Sequence, residues 1–147
     1  MPRLDAGRVA TWRSLGVVAA DLQRKVESGL LDDYDLPLPW FEILAALQAS
    51  GGSMRVGDLS DALHGLPSSL SRRLDRLEEE GFVQRAATPT PDDKRAVTVS
   101  LTREGRAEWR DANITYRRMV QQHFASALTD TDIAALQRIF SKLDAEG

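Results

Sequence analysis

The chain has 147 residues, of which 42% are hydrophobic, and a formal net charge of −3. This length fits one domain with a single hydrophobic core, which needs no metal or disulfide to fold. The absence of cysteine excludes a disulfide framework and thiol chemistry. The N-terminus lacks the apolar stretch of a secretion signal, and no apolar run approaches the ~20 residues of a membrane span. We therefore predict one cytoplasmic domain, residues 1–147, that makes no contact with a membrane.

Two amphipathic helices are predicted in the first third of the chain. Apolar residues recur every three to four positions from Val9 to Val26, which predicts a helix with one apolar face that ends near Gly29. A second helix is expected to begin after Pro39 and to stop at the glycine pair 51–52.

Two further helices, separated by a tight turn, are predicted in the middle of the chain. The third helix is short and ends at His64 and Gly65. The fourth begins with Pro67, which suits the first position of a helix, and ends before Gly81. Its apolar face is formed by Leu70, Leu74 and Leu77. Two short helices joined by a glycine-containing turn are typical of a helix-turn-helix.

The hydrophobic period changes from helical to two after the fourth helix. The alternation from Val97 to Leu101 predicts a strand, and the segment that begins at Phe82 supplies an antiparallel partner, with the hairpin tip at 91–95. Thr102 is a good N-cap for a long fifth helix. The segment 129–132 resembles a capping box that opens a final helix.

The order of these elements predicts a fold that is mainly α with a small β-hairpin wing, a winged helix-turn-helix. A central lobe of about residues 53–101 closes its own small core. The apolar faces of the terminal helices, residues 1–30 and 102–147, then need another surface, and a second copy of the chain supplies one. We therefore predict a homodimer with N- and C-terminal dimerisation helices.

The outward face of the fourth helix is the first candidate site. Opposite its leucines lie Ser68, Arg72 and Arg76, flanked by Ser69, Ser71 and Arg73. The N–H groups of the first turn are also available to bind phosphate. Such a charge pattern is also typical of a plain solvated helix, but the position between a turn and a hairpin favours contact with DNA. The negative net charge does not exclude this, because a local basic face is compatible with an acidic total.

The hairpin tip is the second candidate site. Lys94 and Arg95 project from it and can reach a minor groove or its phosphates while the fourth helix occupies the major groove. Asp92 and Asp93 stand beside them, and we expect such a carboxylate to orient the guanidinium of Arg95 or to brace the tip against the helix.

The segment DKRAVTVSLTREG, residues 93–105, resembles the D-x-R wing and the following L-T-x-x-G motif of the MarR family of winged-helix transcription regulators. The segment LPSSLSRRLDRLEEEGFVQR, residues 66–85, is similar to the recognition helix of that family, and the resemblance covers essentially the whole chain. It implies a homodimer that binds pseudo-palindromic double-stranded DNA, often as a repressor, and that small, frequently aromatic ligands release. The DNA contacts that we predict are Ser68, Ser69, Ser71, Arg72, Arg73, Arg76, Asp93, Lys94 and Arg95. Among these, Arg73 stands where relatives often have an apolar residue.

The resemblance also implies a ligand pocket between the dimerisation helices and the DNA-reading lobe. The candidate residues for this pocket are Trp12, Trp40, Trp109 and Tyr116. The alternative interpretation is that these side chains pack in the core or in the dimer contact, as aromatic residues at helical spacing usually do.

No cofactor, metal site or catalytic activity is expected. His64 and His123 are the only histidines and lack the spacing of metal ligands. No nucleophile elbow surrounds the serines of the fourth helix, which makes a small hydrolase the remotest alternative. A closer alternative is a winged-helix protein-interaction module without DNA binding, which would use Glu78, Glu79 and Glu80 and the acidic tip as its surface.

Overall fold

The computed structural model describes the backbone of residues 1–64 and 67–145, and the side chains of these residues except 67 and 68. The helices are α1 (Ala6–Tyr34), α2 (Leu38–Ala49), α3 (Val56–Leu63), α4 (Pro67–Glu79), α5 (Arg103–His123) and α6 (Asp130–Ala145), with a 3₁₀ helix at Ala125–Ala127. The strands are β1 (Ser53–Arg55), β2 (Val83–Ala87) and β3 (Val97–Leu101). The predicted fold class, mainly helical with a β-hairpin wing, is confirmed. Within the described part of the chain, no helix combines the length and apolarity needed to cross a membrane.

The three strands form one antiparallel sheet in the order β1-β3-β2. Val83 pairs with Leu101 at the base of the predicted hairpin, and Ala87 pairs with Val97 nearer its tip. The third strand, β1, was not predicted, and it pairs Met54 with Val99 on the other side of β3. A strand of three residues directly after two glycines is too short to show an alternating pattern, so its pairing partner alone defines it.

Helix α1 is longer than predicted, and the expectation that it ends near Gly29 was wrong. A glycine inside a helix costs only about 1 kcal/mol relative to alanine, and burial of the following apolar side chain offsets this cost. Leu30 is fully buried and Leu36 nearly so. The helix instead ends at Tyr34, and Asp35 follows in the left-handed conformation with φ 52°.

Residues 30–115 form one of two compact units. It contains α2 to α4, the sheet and the first half of α5, and is therefore larger than the predicted lobe of 53–101. Helix α2 supplies much of the core because Phe41, Ile43, Leu44 and Leu47 are all buried. The other fully buried side chains of this core include Leu59, Leu74, Leu77, Val83 and Val99.

Residues 1–29 and 116–147 form the other compact unit. Its helix α6 begins with the predicted capping box, which is confirmed. The backbone N–H of Thr129 donates to the Asp132 carboxylate at 3.0 Å, and the N–H of Asp132 donates to the Thr129 hydroxyl at 3.1 Å. The unit leaves large apolar side chains exposed, among them Trp12 at 73% and Phe140 at 52%.

Thr102 joins the base of the hairpin to helix α5. Its hydroxyl donates to the Gly81 carbonyl at 2.6 Å and accepts the N–H of Gly105 at 3.0 Å, which confirms the predicted N-cap. Its own N–H donates to the carbonyl of Phe82 at 3.0 Å. A Cβ atom at Gly105 would overlap that carbonyl oxygen. The threonine and the glycine of the L-T-x-x-G motif therefore fix where the wing leaves the core.

Candidate nucleic-acid interface

Helix α4 is amphipathic, as its sequence predicts. Leu70, Leu74 and Leu77 are buried, with exposed fractions of 3%, 1% and 0%. The side chains of Ser71, Arg72 and Arg76 are exposed, and those of Ser69 and Arg73 are half-buried. The side chain of Ser68 lies outside the described residues. Three of the predicted contacts on this helix thus present their polar atoms to solvent.

The wing tip is held by its own backbone and by Asp93. The N–H of Thr90 donates to the Asp93 carbonyl at 2.8 Å, and the N–H of Asp93 donates to the Thr90 hydroxyl at 3.0 Å. The Asp93 carboxylate accepts the backbone N–H of Arg95 at 2.9 Å. We expected a carboxylate at the tip to orient the guanidinium of Arg95 or to brace the tip against the helix, and the hydrogen bond that Asp93 accepts here comes from the backbone of Arg95 and shapes the turn. The side chains of Lys94 and Arg95 are exposed at the tip.

Helix α4 and the wing share one groove of about 410 Å³. Its walls bring together three of the predicted residues, Ser71 of α4 with Asp93 and Arg95 of the tip. Arg55, which immediately precedes α3, also lines the groove and was missed from the sequence. An isolated arginine between two short elements carries no periodic signal, and only the pairing of β1 with β3 brings it beside the wing.

Arg85 links the wing to the recognition helix, and the sequence did not identify this link. Its backbone N–H donates to Glu78 at 3.0 Å, and its guanidinium donates to Glu78 at 3.2 Å and to Asp75 at 2.5 Å. The hydrogen bonds that the Arg85 guanidinium donates to Asp75 and Glu78 raise the pKa of Arg85. Those from Arg85 hold the pKa of Glu78 below its ordinary value. Two carboxylates of α4 therefore share one cation within the protein, while Arg72 and Arg76 remain exposed.

A second cavity of about 360 Å³ lies at the junction of α1 and α2 with the base of the wing. It is lined by Tyr34, Asp35, Leu36, Pro37, Trp40, Glu80, Phe82 and Glu108. Of the four aromatic residues predicted for a ligand pocket, Trp40 lines it. Trp109 lies in the same compact unit, and its buried indole N–H has no hydrogen-bond acceptor among the described residues. Trp12 and Tyr116 belong to the other compact unit.

Glu108 is the partly buried carboxylate of this cavity. Burial raises its pKa, and the neighbouring carboxylates of Asp111 and Glu80 raise it further. In the residues that the structure describes, no group of three or more His, Cys, Asp or Glu side chains is placed to hold a metal ion.

Known proteins resemble this chain over the elements described above. A family profile described as the MarR family matches residues 34–96. The multiple antibiotic resistance protein MarR of Salmonella typhimurium is 30% identical over 118 residues, which are 78% of this chain and 80% of that protein. The HTH-type transcriptional repressor MdtR of Bacillus subtilis is 28% identical over 101 residues, 69% of this chain and 63% of that protein.

The fold of a solved relative also matches over nearly the full length. Sco3205, a MarR family transcriptional regulator from Streptomyces coelicolor, was crystallised in complex with DNA. It superposes with a TM-score of 0.86 at 28% sequence identity, covering 98% of this chain and 90% of its own. The chain therefore belongs to the MarR family of transcriptional regulators, which are not enzymes.

Proposed function

We propose that this protein is a homodimeric repressor that binds a pseudo-palindromic operator and that a small ligand releases. The observation that carries the proposal is the groove between α4 and the wing, where Ser71 and Arg95 face one space. A recognition helix in the major groove and a basic wing tip beside it use both walls of such a groove. The resemblance to a transcriptional repressor and to a regulator crystallised with DNA supports the same assignment.

The exposed cations divide into two kinds of contact. Arg72 and Arg76 project from a rigid helix, which suits bidentate hydrogen bonds to the edges of bases. Lys94 and Arg95 project from a loop, which suits contacts with phosphates or with a narrow minor groove. Arg55 also lines the groove and adds a phosphate contact.

The dimer is proposed from the compact unit of residues 1–29 and 116–147. On α1, Trp12, Val17 and Val18 expose 73%, 70% and 55% of their surface, and on α6 Phe140 and Leu143 expose 52% and 58%. Isolated apolar side chains on a surface are ordinary, but a concentration on two helices marks a contact with another protein. A second copy of the chain is the occupant we propose, because two copies give two recognition helices for two operator half-sites.

Release by a ligand follows from the geometry that two half-sites impose. Both recognition helices must lie about 34–36 Å apart to enter successive major grooves. A ligand that binds better to a dimer with another spacing lowers the affinity for the operator without any chemical step. The predicted pocket residues Trp12, Trp40, Trp109 and Tyr116 remain the proposed ligand contacts, and Trp40 lines the cavity described above.

DNA binding is tested by selecting binding sites from genomic fragments with the purified protein and measuring affinity by fluorescence anisotropy. We expect a selected duplex with an inverted repeat to bind far more tightly than a scrambled duplex of equal length. The double variant Arg72→Ala, Arg76→Ala should remove this preference. Arg110→Ala removes an exposed charge elsewhere in the same compact unit and should retain it. If no fragment is enriched and DNA-cellulose does not retain the protein at low salt, a protein-interaction module is the better assignment.

The dimer is tested by light scattering at micromolar concentration. We expect twice the chain mass of 16.3 kDa. Replacement of Trp12 and Phe140 by Asp should give monomers, because a charge buried in an apolar contact is costly. A wild-type chain that stays monomeric, or a double variant that stays dimeric, contradicts the proposed contact.

A further inference from the structure

The cavity between α1, α2 and the base of the wing has the size and walls of a small-molecule site. Its volume of about 360 Å³ lies in the range of ligand pockets. Tyr34, Trp40 and Phe82 supply aromatic surface, and Leu36 supplies an almost fully buried apolar floor. Polar groups make up much of the remaining lining, so the cavity combines aromatic surface with charged side chains.

The cavity is also formed before any ligand arrives. The hydroxyl of Thr115 on α5 donates to the Asp33 carboxylate near the end of α1 at 2.6 Å. Thr115 is buried, with 4% of its surface exposed, whereas Asp33 is exposed, so this hydrogen bond is partly shielded from water. It ties the segment that carries Tyr34 to the helix that carries Glu108. A ligand therefore does not have to order these two walls, which favours binding.

The charged residues that line the cavity all have one sign. They are the carboxylates of Asp35, Glu80 and Glu108, and no Lys, Arg or His is among the lining residues. Glu108 is half-buried, so water screens its charge less than that of an exposed carboxylate. These three carboxylates repel an anionic ligand and attract a cation.

The arrangement favours an organic cation over a metal ion. In the part of the chain that the structure describes, no three acidic, histidine or cysteine side chains are placed to hold a metal. The carboxylates are instead distributed around a space with three aromatic rings. Rings attract a cation through their electron-rich faces, and this combination recognises substituted ammonium groups.

We infer that this cavity binds a small organic cation, a quaternary or protonated amine attached to a flat apolar body. The apolar body lies against Trp40 and Phe82, and the positive charge faces Glu108 and Glu80. This inference rests on the proposed function, because Trp40 of this cavity is one of the ligand contacts proposed there. Binding of the cation and release of the operator are separate steps and are measured separately.

Three probes that share one ring system and differ in charge test the ligand class. They are 1-methylquinolinium, neutral quinoline at mildly alkaline pH, and the anion quinaldate, each titrated by calorimetry into the full-length protein. We expect the cation to bind at least about tenfold more tightly than quinoline, and quinaldate to give no measurable heat. The inference is overturned if quinaldate or quinoline binds as tightly as the cation, or if 1-methylquinolinium does not bind at millimolar concentration.

Matched variants locate the site. Glu108→Gln and Glu80→Gln keep the side-chain shape, and each should lower the affinity for 1-methylquinolinium about fivefold. Trp40→Leu should lower this affinity about five- to thirtyfold. Glu104→Gln and Glu79→Gln remove charges from the same two segments but outside the cavity lining, and should bind like the wild type. Circular dichroism and the thermal midpoint verify that each variant is folded. Equal weakening in the control variants would show that net charge, and not the cavity, attracts the cation.

Operator affinity is then measured with and without saturating 1-methylquinolinium. A lowered operator affinity in the wild type, absent in Glu108→Gln, supports the cavity as the effector site. If the cation binds and the operator affinity is unchanged, the cavity inference holds and ligand release is wrong for this cation. If the operator binds but the cation does not, the cavity inference alone fails.

Discussion

Arg85 holds Glu78 through two donors, its backbone N–H at 3.0 Å and its guanidinium at 3.2 Å. The first donor belongs to strand β2 and the acceptor to the last turn of α4. The guanidinium also reaches Asp75, one turn earlier on the same helix. A side chain that binds two positions of α4 fixes the angle between the recognition helix and the wing. We therefore expect helix α4 and the wing to keep one relative orientation.

Replacement of Arg85 by Gln should weaken the attachment of helix α4 to the wing. The variant leaves Asp75 and Glu78 without their cation, and two uncompensated carboxylates beside the DNA-facing helix also repel phosphates. We expect a lower midpoint in urea unfolding and a severalfold weaker affinity for the selected operator. Arg110→Gln removes the same charge from an exposed site and should change neither quantity. An Arg85→Gln protein with wild-type stability and affinity would show that the three contacts do not couple the two elements.

The contact between Arg85 and Glu78 should also depend on pH. The hydrogen bonds from the Arg85 side chain and backbone lower the pKa of Glu78 in the folded state. A carboxyl group with a lowered folded pKa stabilises the fold above its unfolded pKa, and this contribution disappears as pH falls through the folded value. The stability difference between the wild type and Glu78→Gln should therefore be largest near neutral pH and vanish in acid. Urea titrations at a series of pH values measure it, with Glu79→Gln as the control. A difference that is constant with pH contradicts the assignment.

Local sequence signals predicted much of the fold because each depends on neighbours along the chain. The apolar period placed the faces of the helices, and Thr102 and the segment 129–132 revealed two helix starts by their capping chemistry. The end of α1 could not be predicted in this way. Burial of Leu30 and Leu36 by distant residues outweighs the weak stop signal of Gly29. Strand β1 was not predicted for the same reason, since only its pairing with β3 defines it.

In the candidate site, too, some residues could be predicted from local sequence and others depend on how separate elements pack. A helical wheel suffices to show that Arg72 and Arg76 face outward, because their direction depends on the helix alone. The positions of Arg55 and Arg85 depend on how separate elements meet, and neither has a periodic or spaced pattern that marks it. The acidic cavity is formed by four segments of the chain, and its charge is visible only once these segments pack together.

Replacement of Gly105 by Ala should disrupt the base of the wing. A Cβ atom there would overlap the carbonyl oxygen of Phe82, which is backbone and cannot move aside like the end of a side chain. Overpacking of this kind costs typically about 1–3 kcal/mol, and we expect at least that loss in the free energy of unfolding. Gly16→Ala is the matched control in helix α1, where a Cβ atom has no neighbour within 4 Å. It should stabilise by up to about 1 kcal/mol through helix propensity. Equal stability of the two variants would exclude the close contact.

Replacement of Glu108 by Gln should have opposite effects on stability and on cation binding. Burial, with help from Asp111 and Glu80, raises the folded pKa of Glu108 above its unfolded value. Its charge therefore costs stability near neutral pH, and this cost decreases as pH falls below the raised folded pKa and is absent below the unfolded pKa. The variant should unfold at a higher temperature than the wild type near neutral pH, with a smaller difference in acid, and should bind 1-methylquinolinium more weakly. If Glu108→Gln unfolds at a lower temperature than the wild type near neutral pH, the charged Glu108 carboxylate does not destabilise the wild-type protein.

Arg72 and Arg95 should differ in what they contribute to DNA binding. Arg72 projects from the middle of α4, where a bidentate contact to a guanine discriminates by about 1–3 kcal/mol, so Arg72→Ala should relax sequence preference. Arg95 lies at the wing tip, and we expect it to contribute mainly by neutralising phosphate. Arg95→Ala should lower the affinity for the operator and for the scrambled duplex by similar factors. It should also reduce the slope of log affinity against log salt by about one. Anisotropy titrations of both variants on both duplexes across a salt series measure these quantities. If Arg72→Ala preserves the ratio of the two affinities while Arg95→Ala removes it, the wing reads the sequence and the helix anchors the backbone.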